Sequence, residues 1–326
     1  MLNEPDKIEQ GKLKLQGYSH PPLVAGDYEL NTTLSIEGKG LFQQVPTGTT
    51  FQNNSLTFSV AAPRFSLDAS LIYSRYPLPV SKGAYHTSLP NIIFTRKTLP
   101  WERSVHTQGT AGNTPWFALI LLSVDEIKGN NVIINELLPI EDVANNKSNT
   151  NLLVPNIALD DWELDGSKIK VIEMPLSLFT SIAPTYNEME LLVHTIQIDT
   201  SNKENTNQNP KGIFSAVGGN RLPQQAAMNA VILVSLEGQD DNLKVTDTAK
   251  SIRLVILNQW MFEEAGATFE ELIEELEANT LPFRVEQDEL TNIRLQNDTA
   301  KGVARALEFG YVPLNHNRRE GTKVVS

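Results

Sequence analysis

Apolar and polar residues alternate with a period of two along several stretches of this 326-residue chain. Tyr28, Leu30, Leu34 and Ile36 share one parity, while Glu29, Asn31, Thr33 and Ser35 hold the other. Leu56, Phe58 and Val60 repeat the pattern against Thr57 and Ser59. That is the signature of half-buried strands, so residues 17–62 are expected to form antiparallel strands joined through Gly38, Gly40 and Gly48. The most hydrophobic run, Trp116 to Leu122, is apolar on both parities, which predicts a strand over 116–124 covered on both faces. Further strands are expected at 169–173, 190–200, 212–217, 229–236, 251–262 and 304–314. In the second of these, Leu192, His194, Ile196 and Ile198 lie on one face.

Helical signals are fewer. Ser66 and Asp68 could cap a turn through Leu71, Ile72 and Tyr73. Met174 to Phe179 reads as a short helix with Pro175 in its first turn. From Thr268 to Ala278, a Thr268/Glu271 capping box opens an amphipathic helix whose stripe is Phe269, Leu272, Ile273 and Leu276. Residues 63–90 are proline-rich and irregular, and 145–151 and 201–211 are polar loops. The fold class is therefore mainly β (α+β), with antiparallel β-sandwich-like sheets, a few short helices and long ordered loops. Residues 1–16 read as an N-terminal arm, 17–65 as a small β domain and 66–326 as a larger β-rich domain. Val324-Val325 resembles the start of a strand, which predicts a chain that continues.

Composition narrows the chemistry. Hydrophobic residues make up 40% of the chain, enough for a sizeable core. A net charge of −12, with no dense Lys/Arg cluster, argues against nucleic acid as a partner. The absence of cysteine removes disulfides, thiolate catalysis and cysteine-held metals. The N-terminal residues lack the apolar core of a signal peptide, and no apolar run approaches the ~18–20 residues of a spanning helix. Assembly in the cytoplasm and no membrane insertion are the expectations.

Candidate chemistry is sparse. His20, His86, His106, His194 and His316 show no metal-ligand spacing. His194, on the apolar face of its strand, reads as a hydrogen-bonded core residue rather than a catalyst. Asp160-Asp161 and Asp240-Asp241 lack the further oxygen ligands of a calcium site and read as solvated turns. Gly218-Gly219-Asn220 reads as a turn using positive φ, since no helix follows to make a phosphate cradle. The glycosylation triplets at Asn31, Asn53, Asn146 and Asn297 mark exposed polar loops only. The cluster Trp101-Glu102-Arg103, followed by Pro115-Trp116, is the conspicuous feature. It reads as structural, with Trp101 and Trp116 buried and Glu102 and Arg103 bonded to protein groups. No catalytic, cofactor or metal residue is expected.

In order along the chain, AGDYEL, PRFSLD, RYPLPVSKGAYHTSLP, IIFTRKTLPWER, TPWFALILLSVDE, LLVHTIQIDTSNKE, GGNRLPQ, LVSLEG, SIRLVILNQWMFE, TFEELIEELEA and GYVPLNHNRREGTKVVS resemble blocks of a family of large uncharacterised bacterial proteins. Lys97 stands where that family commonly has a second Arg, and Leu78 where it has another Pro. The family is encoded with extracellular contractile injection systems, which are phage-tail-like particles with a sheath, tube, spike and baseplate. The resemblance implies a structural accessory part rather than an enzyme: a baseplate extension, a cage or a cap adaptor. It implies other particle proteins (baseplate, sheath or cap) as partners, a homo-oligomer that is sixfold if it follows the particle axis, and a place in a released particle. The alternatives are a β-sandwich carbohydrate- or cell-surface-binding module, which would expose aromatics on one sheet face, and third a hydrolase, which would need converging carboxylates or His194 beside a nucleophile.

Overall fold

A computed structural model describes residues 8, 12–32, 54–105, 112–145, 149–160, 163, 166–198, 212–247, 249–265, 315–317 and 323–325. In chain order the elements are β1 (Leu13–Gln16), β2 (Gly26–Thr32), β3 (Asn54–Val60), β4 (Ile72–Tyr76), β5 (Lys82–Gly83), β6 (Asn91–Phe94), β7 (Phe117–Ser123), α1 (Val124–Gly129) and β8 (Ile133–Pro139). They continue with β9 (Leu152–Leu153), β10 (Lys168–Pro175), α2 (Leu176–Ile182), α3 (Tyr186–Leu192), β11 (Val193–Ile198), β12 (Ile213–Gly218), β13 (Met228–Ser235), β14 (Ser251–Glu264), β15 (Asn315–Asn317) and β16 (Lys323–Val325). The chain divides into two compact units, Met1–Gly266 and Ala267–Ser326. In the second, β15 and β16 form an antiparallel pair.

The first unit is mostly antiparallel β. A seven-stranded sheet runs β7-β13-β14-β10-β8, with β5 and β9 added in parallel to β14. A five-stranded sheet runs β1-β11-β12-β6-β4. Phe117, Leu119 and Leu121 of β7 point into one core with Val231 and Leu233 of β13, Val171 of β10, and Ile92, Phe94 and Val217 of the five-stranded sheet. This is the inter-sheet layer of a sandwich. The opposite parity, Ala118, Ile120 and Leu122 with Ile232 and Val234, packs on Leu176, Phe179 and Ile182 of α2 and Met189 of α3. Every residue of β7 is therefore buried, because it is covered from both sides.

Bulges decide which residues reach which layer. Val255 and Leu257 of β14 enter the sandwich core, yet so do Trp260 and Phe262. The pairing with β13 shifts between Leu233↔Asn258 and Val234↔Ile256, leaving Leu257 as an extra residue. That extra residue reverses the parity of the strand beyond it. Gly238, just after β13, has φ +71, and an added Cβ would lie 2.6 Å from Ile157 Cγ2 and 2.7 Å from Asn156 O. Glycine is required there by conformation and by close approach.

Several sequence expectations need correction. Residues 186–192, whose second half was expected to be strand, form α3 instead, opened by a Thr185/Glu188 capping box, and the strand begins only at Val193. Asp68 caps a 3-10 turn of only Ala69–Leu71, because Ile72 and Tyr73 already belong to β4. Pro175 is the N-cap of α2 and the last residue of β10, not part of the helix. Gly218 and Gly219 do not have positive φ. Gly219 is instead pressed on Pro90, whose Cγ would be 3.0 Å from an added Cβ. The expected helix at 268–278 and strand at 304–314 lie outside the described residues.

α1 illustrates how the layers are joined. Ser123 caps it, accepting from Glu126 N, and Glu126 accepts in return from Ser123 N. Glu126 also accepts from Arg221 at 2.8 Å. Burial alone would raise the Glu126 pKa, but donation from Arg221 and from the Ser123 amide outweighs it, so the net shift is downward from 4.5. A depressed folded-state pKa contributes stability that is present above the unfolded value and lost as pH falls through the folded value. Glu126→Gln is therefore expected to lose about 0.5–1 kcal/mol at pH 7. In urea titrations the gap to the parent protein should close as pH drops below 4.5, and a gap independent of pH would contradict this assignment.

Candidate functional site

Residues 96–105 and 112–116 pack together around two buried tryptophans. Leu99–Trp101 makes a 3-10 turn with Pro100 in its first positions. Trp101 is 2% exposed and Trp116 0%. Each indole N–H is satisfied by main chain, Trp101 Nε1 donating to Asn113 O at 2.7 Å and Trp116 Nε1 to Leu99 O at 2.8 Å. The Trp116 amide donates to Pro100 O at 3.1 Å, and its ring meets Phe117 edge-on at 4.9 Å. Pro115 is buried beside it. Burying an indole without a partner for its N–H costs stability, so these carbonyls fix the orientation of both rings.

Glu102 and Arg103 face other protein groups. Glu102 accepts from Arg96 at 2.9 Å and from Thr98 Oγ1 at 2.6 Å. Arg103 donates from Nε to Pro63 O at 2.8 Å, from one terminal nitrogen to Ala62 O at 2.9 Å and from the other to Glu237 at 3.1 Å. Glu237 also accepts from Arg64 Nε at 3.3 Å, and Arg64 reaches Glu163 at 2.8 Å. Two arginines and two glutamates thus form one charge-balanced, largely buried chain. Burial pulls the Arg103 pKa down, opposed by the charge of Glu237 and reinforced by that of Arg64. A guanidinium remains charged near neutrality regardless.

These bonds converge on the root of a two-stranded ribbon. Among the described residues β2 and β3 pair only with each other, in the register Tyr28↔Phe58 and Leu30↔Leu56. The residue before β2 is held by the Ala25 amide donating to Glu102 O at 2.8 Å. Residues 62 and 63, after β3, are held by Arg103. The Glu102-Arg103 pair therefore grips both chains of the ribbon where they leave the body. A small cavity of about 190 Å³ lies at this root, lined by Gly26, Val60, Arg64, Arg103, Asp160 and Glu237.

The ribbon itself departs from expectation. Its alternation is present, and Tyr28 stacks on Phe58 at 5.5 Å. The apolar parity is nevertheless uncovered, with Leu30 54% exposed, Leu56 62% and Phe58 40%. Asp27, Glu29, Thr57 and Ser59, on the other face, are exposed as well. A period of two identifies a strand with one apolar face but says nothing about whether that face is buried within the same chain.

The remaining candidates separate. His194 is half-buried on the face of β11 turned away from the sandwich core, with Nε2 donating to Leu191 O at 2.7 Å, so it is not a core residue. His20 contacts Asn113 at 3.2 Å, and His86 contacts the buried Glu264 at 3.2 Å, which also accepts from the Tyr85 amide. Asp240 accepts from Tyr186 and Lys244. Burial, helped by Asp240, pushes the Tyr186 pKa up. Among the described residues no group of three or more His, Asp or Glu could hold a metal, and no helix is long and apolar enough to cross a membrane. His106 and Asp161 lie outside the described residues. Sequence reasoning missed Glu237 as the partner of Arg103, and Arg64 and Glu163 as the next members of the same chain of ion pairs. The local trace was that Arg64 falls inside the PRFSLD block and Glu237 inside LVSLEG.

No known protein family, curated protein or solved structure matches this chain.

Proposed function

We propose that the protein is a structural accessory subunit of a phage-tail-like contractile injection particle, binding its neighbours through the β2–β3 ribbon. One observation supports the protein-contact part of this reading: a ribbon with an apolar face is exposed on both sides, yet both of its chains are anchored at the root by buried ionic and main-chain bonds. An isolated two-stranded ribbon is marginal in water, and an exposed apolar stripe on a rigid base suits a surface completed by another subunit. The particle part comes from the sequence blocks, from AGDYEL to GYVPLNHNRREGTKVVS. Baseplate extension, cage and cap adaptor are the forms such a part would take, with multiple symmetric copies adding weak contacts into a strong one.

The test compares particles purified from cells carrying the wild-type gene, a deletion, or the ribbon variant Leu30→Asp/Phe58→Asp. Negative-stain images should lose one substructure in the deletion. Particles from the ribbon variant should lack the protein, although the purified variant keeps its circular dichroism spectrum and melting temperature. Complete particles that have lost only cell attachment would overturn the scaffold reading in favour of a surface-binding module.

A further inference from the structure

The seven-stranded sheet is forked. β10 and β14 pair from Pro175↔Ser251 to Val171↔Val255. Beyond that point β14 continues along β13, while β10 continues along β8 through Lys170↔Leu137, Ile169↔Leu138 and Lys168↔Pro139. The bulge at Leu257 sits at the branch point, where an extra residue bends the strand away from its former neighbour. A groove of about 650 Å³ opens between the branches, with Lys168, Ile169 and Lys170 on one bank and Ile256 and Leu257 on the other. Among the described residues, the groove-side main chain of 168–170 has no strand paired to it. Such an edge is a template for another strand.

The side chains around the groove say what kind of strand would fit. Lys168 and Lys170 share one parity of β10, both are exposed, and neither forms an ion pair among the described residues. A strand laid beside them would bring alternate side chains opposite those ammonium groups. Glu163, 3% exposed, lines the same groove. Its Oε2 accepts from Arg64 at 2.8 Å and from the Asp160 amide at 3.0 Å, while its Oε1 has no partner. A buried carboxylate oxygen without a donor is costly, but this oxygen is itself closed off from solvent, so the strand edge and the lysines, not Glu163, carry the fit. Leu137, Ile169 and Leu257 supply apolar floor. A phosphate would meet the Glu163 carboxylate and could make no use of the strand edge.

We propose that this groove binds an extended acidic segment of a partner protein, which adds as a strand to the edge of β10 at Lys168–Lys170. Main-chain bonds would provide affinity, and carboxylates at alternate positions would select the lysine-bearing face. The inference concerns the purified chain and stands whether or not the particle assignment holds.

Fluorescence anisotropy with end-blocked, labelled peptides of about six residues tests it. The probes are alternating Glu/Val, its Lys/Val counterpart, and an alternating Glu/Pro version that lacks half of the N–H donors. Saturable binding of Glu/Val is expected, about tenfold weaker for Lys/Val and for Glu/Pro. The same loss is expected for Glu/Val on Lys168→Glu/Lys170→Glu, a surface change that leaves the melting temperature unaltered. Hydrogen exchange should slow at residues 168–170 when the peptide binds. Absence of saturable binding overturns the proposal. So does undiminished binding by the double variant, or equal binding of Glu/Pro, which would reduce the site to unspecific charge attraction.

Discussion

Trp116→Ala is expected to lower unfolding free energy by about 3–5 kcal/mol, measured as the shift in urea midpoint at constant slope. Three losses act together. The indole is 0% exposed between β7 and the 99–101 turn, so its removal leaves a void that rigid strands on both sides cannot close. The Leu99 carbonyl loses its 2.8 Å donor inside the core. The edge-to-face contact with Phe117 at 4.9 Å disappears as well. Trp116→Phe separates these contributions, because it keeps most of the packing and removes the N–H. It should cost about 1–2 kcal/mol. A loss below about 1 kcal/mol for Trp116→Ala would mean that the segment relaxes into the space, and that it does not fix the relation between the turn and β7.

The burial of this segment was legible in the sequence, because an apolar run on both parities needs cover on both faces, and its short length suits a strand. β13 and β14 were legible for the same reason, and the observed strands 228–235 and 251–264 fall close to the expected spans. Other features were hidden for identifiable reasons. α3 is only seven residues long and buries only Met189, so it carries no stripe. The Thr185-Glu188 spacing was its one available signal. β8 has apolar residues on both parities but is interrupted by Asn135 and Glu136, and its exposed Ile133 and Leu137 blur the pattern. The Leu257 bulge reverses parity without any glycine to announce it.

The candidate site was half legible. Trp101-Glu102-Arg103 stood out as a buried anchor, but its partners did not. Glu237 lies 134 positions from Arg103 along the chain, and an ion pair between distant segments leaves no periodic trace. The exposure of the ribbon was equally invisible. Leu30, Leu56 and Phe58 alternate as they would in a core strand, and only the tertiary structure shows that nothing described lies over them. A local pattern specifies what a face needs, and the rest of the fold decides whether the need is met within the chain.

Arg103→Ala is expected to destabilise by about 3–5 kcal/mol, because it breaks a buried pair from one side and strips donors from two carbonyls. The Ala62 and Pro63 carbonyls lose their 2.9 and 2.8 Å bonds, and Glu237 keeps only Arg64. The Ala25 amide bond to Glu102 O is main chain and survives. The damage should therefore be local before it is global: hydrogen exchange at 54–60 should accelerate in native conditions more than at Phe117–Ser123. Trp116→Ala should instead speed exchange in β7 and the ribbon together, since it weakens the core that holds the 99–101 turn and, through it, the residues gripping the ribbon root. A double-mutant cycle adds a second check. Arg103→Ala/Glu237→Ala should be less destabilising than the sum of the single changes, with a coupling of about 1–3 kcal/mol, because each single change leaves the other charge unpaired. Additive effects, or exchange that rises equally in both regions, would show that the Arg103 bonds are not what holds the ribbon. If instead the ribbon alone loosens, assembly in the particle test should fail for Arg103→Ala as it does for Leu30→Asp/Phe58→Asp, although the apolar face is untouched. An uncovered apolar ribbon can present a defined surface only if its root is fixed, and this variant removes the fixing while leaving the surface residues in place.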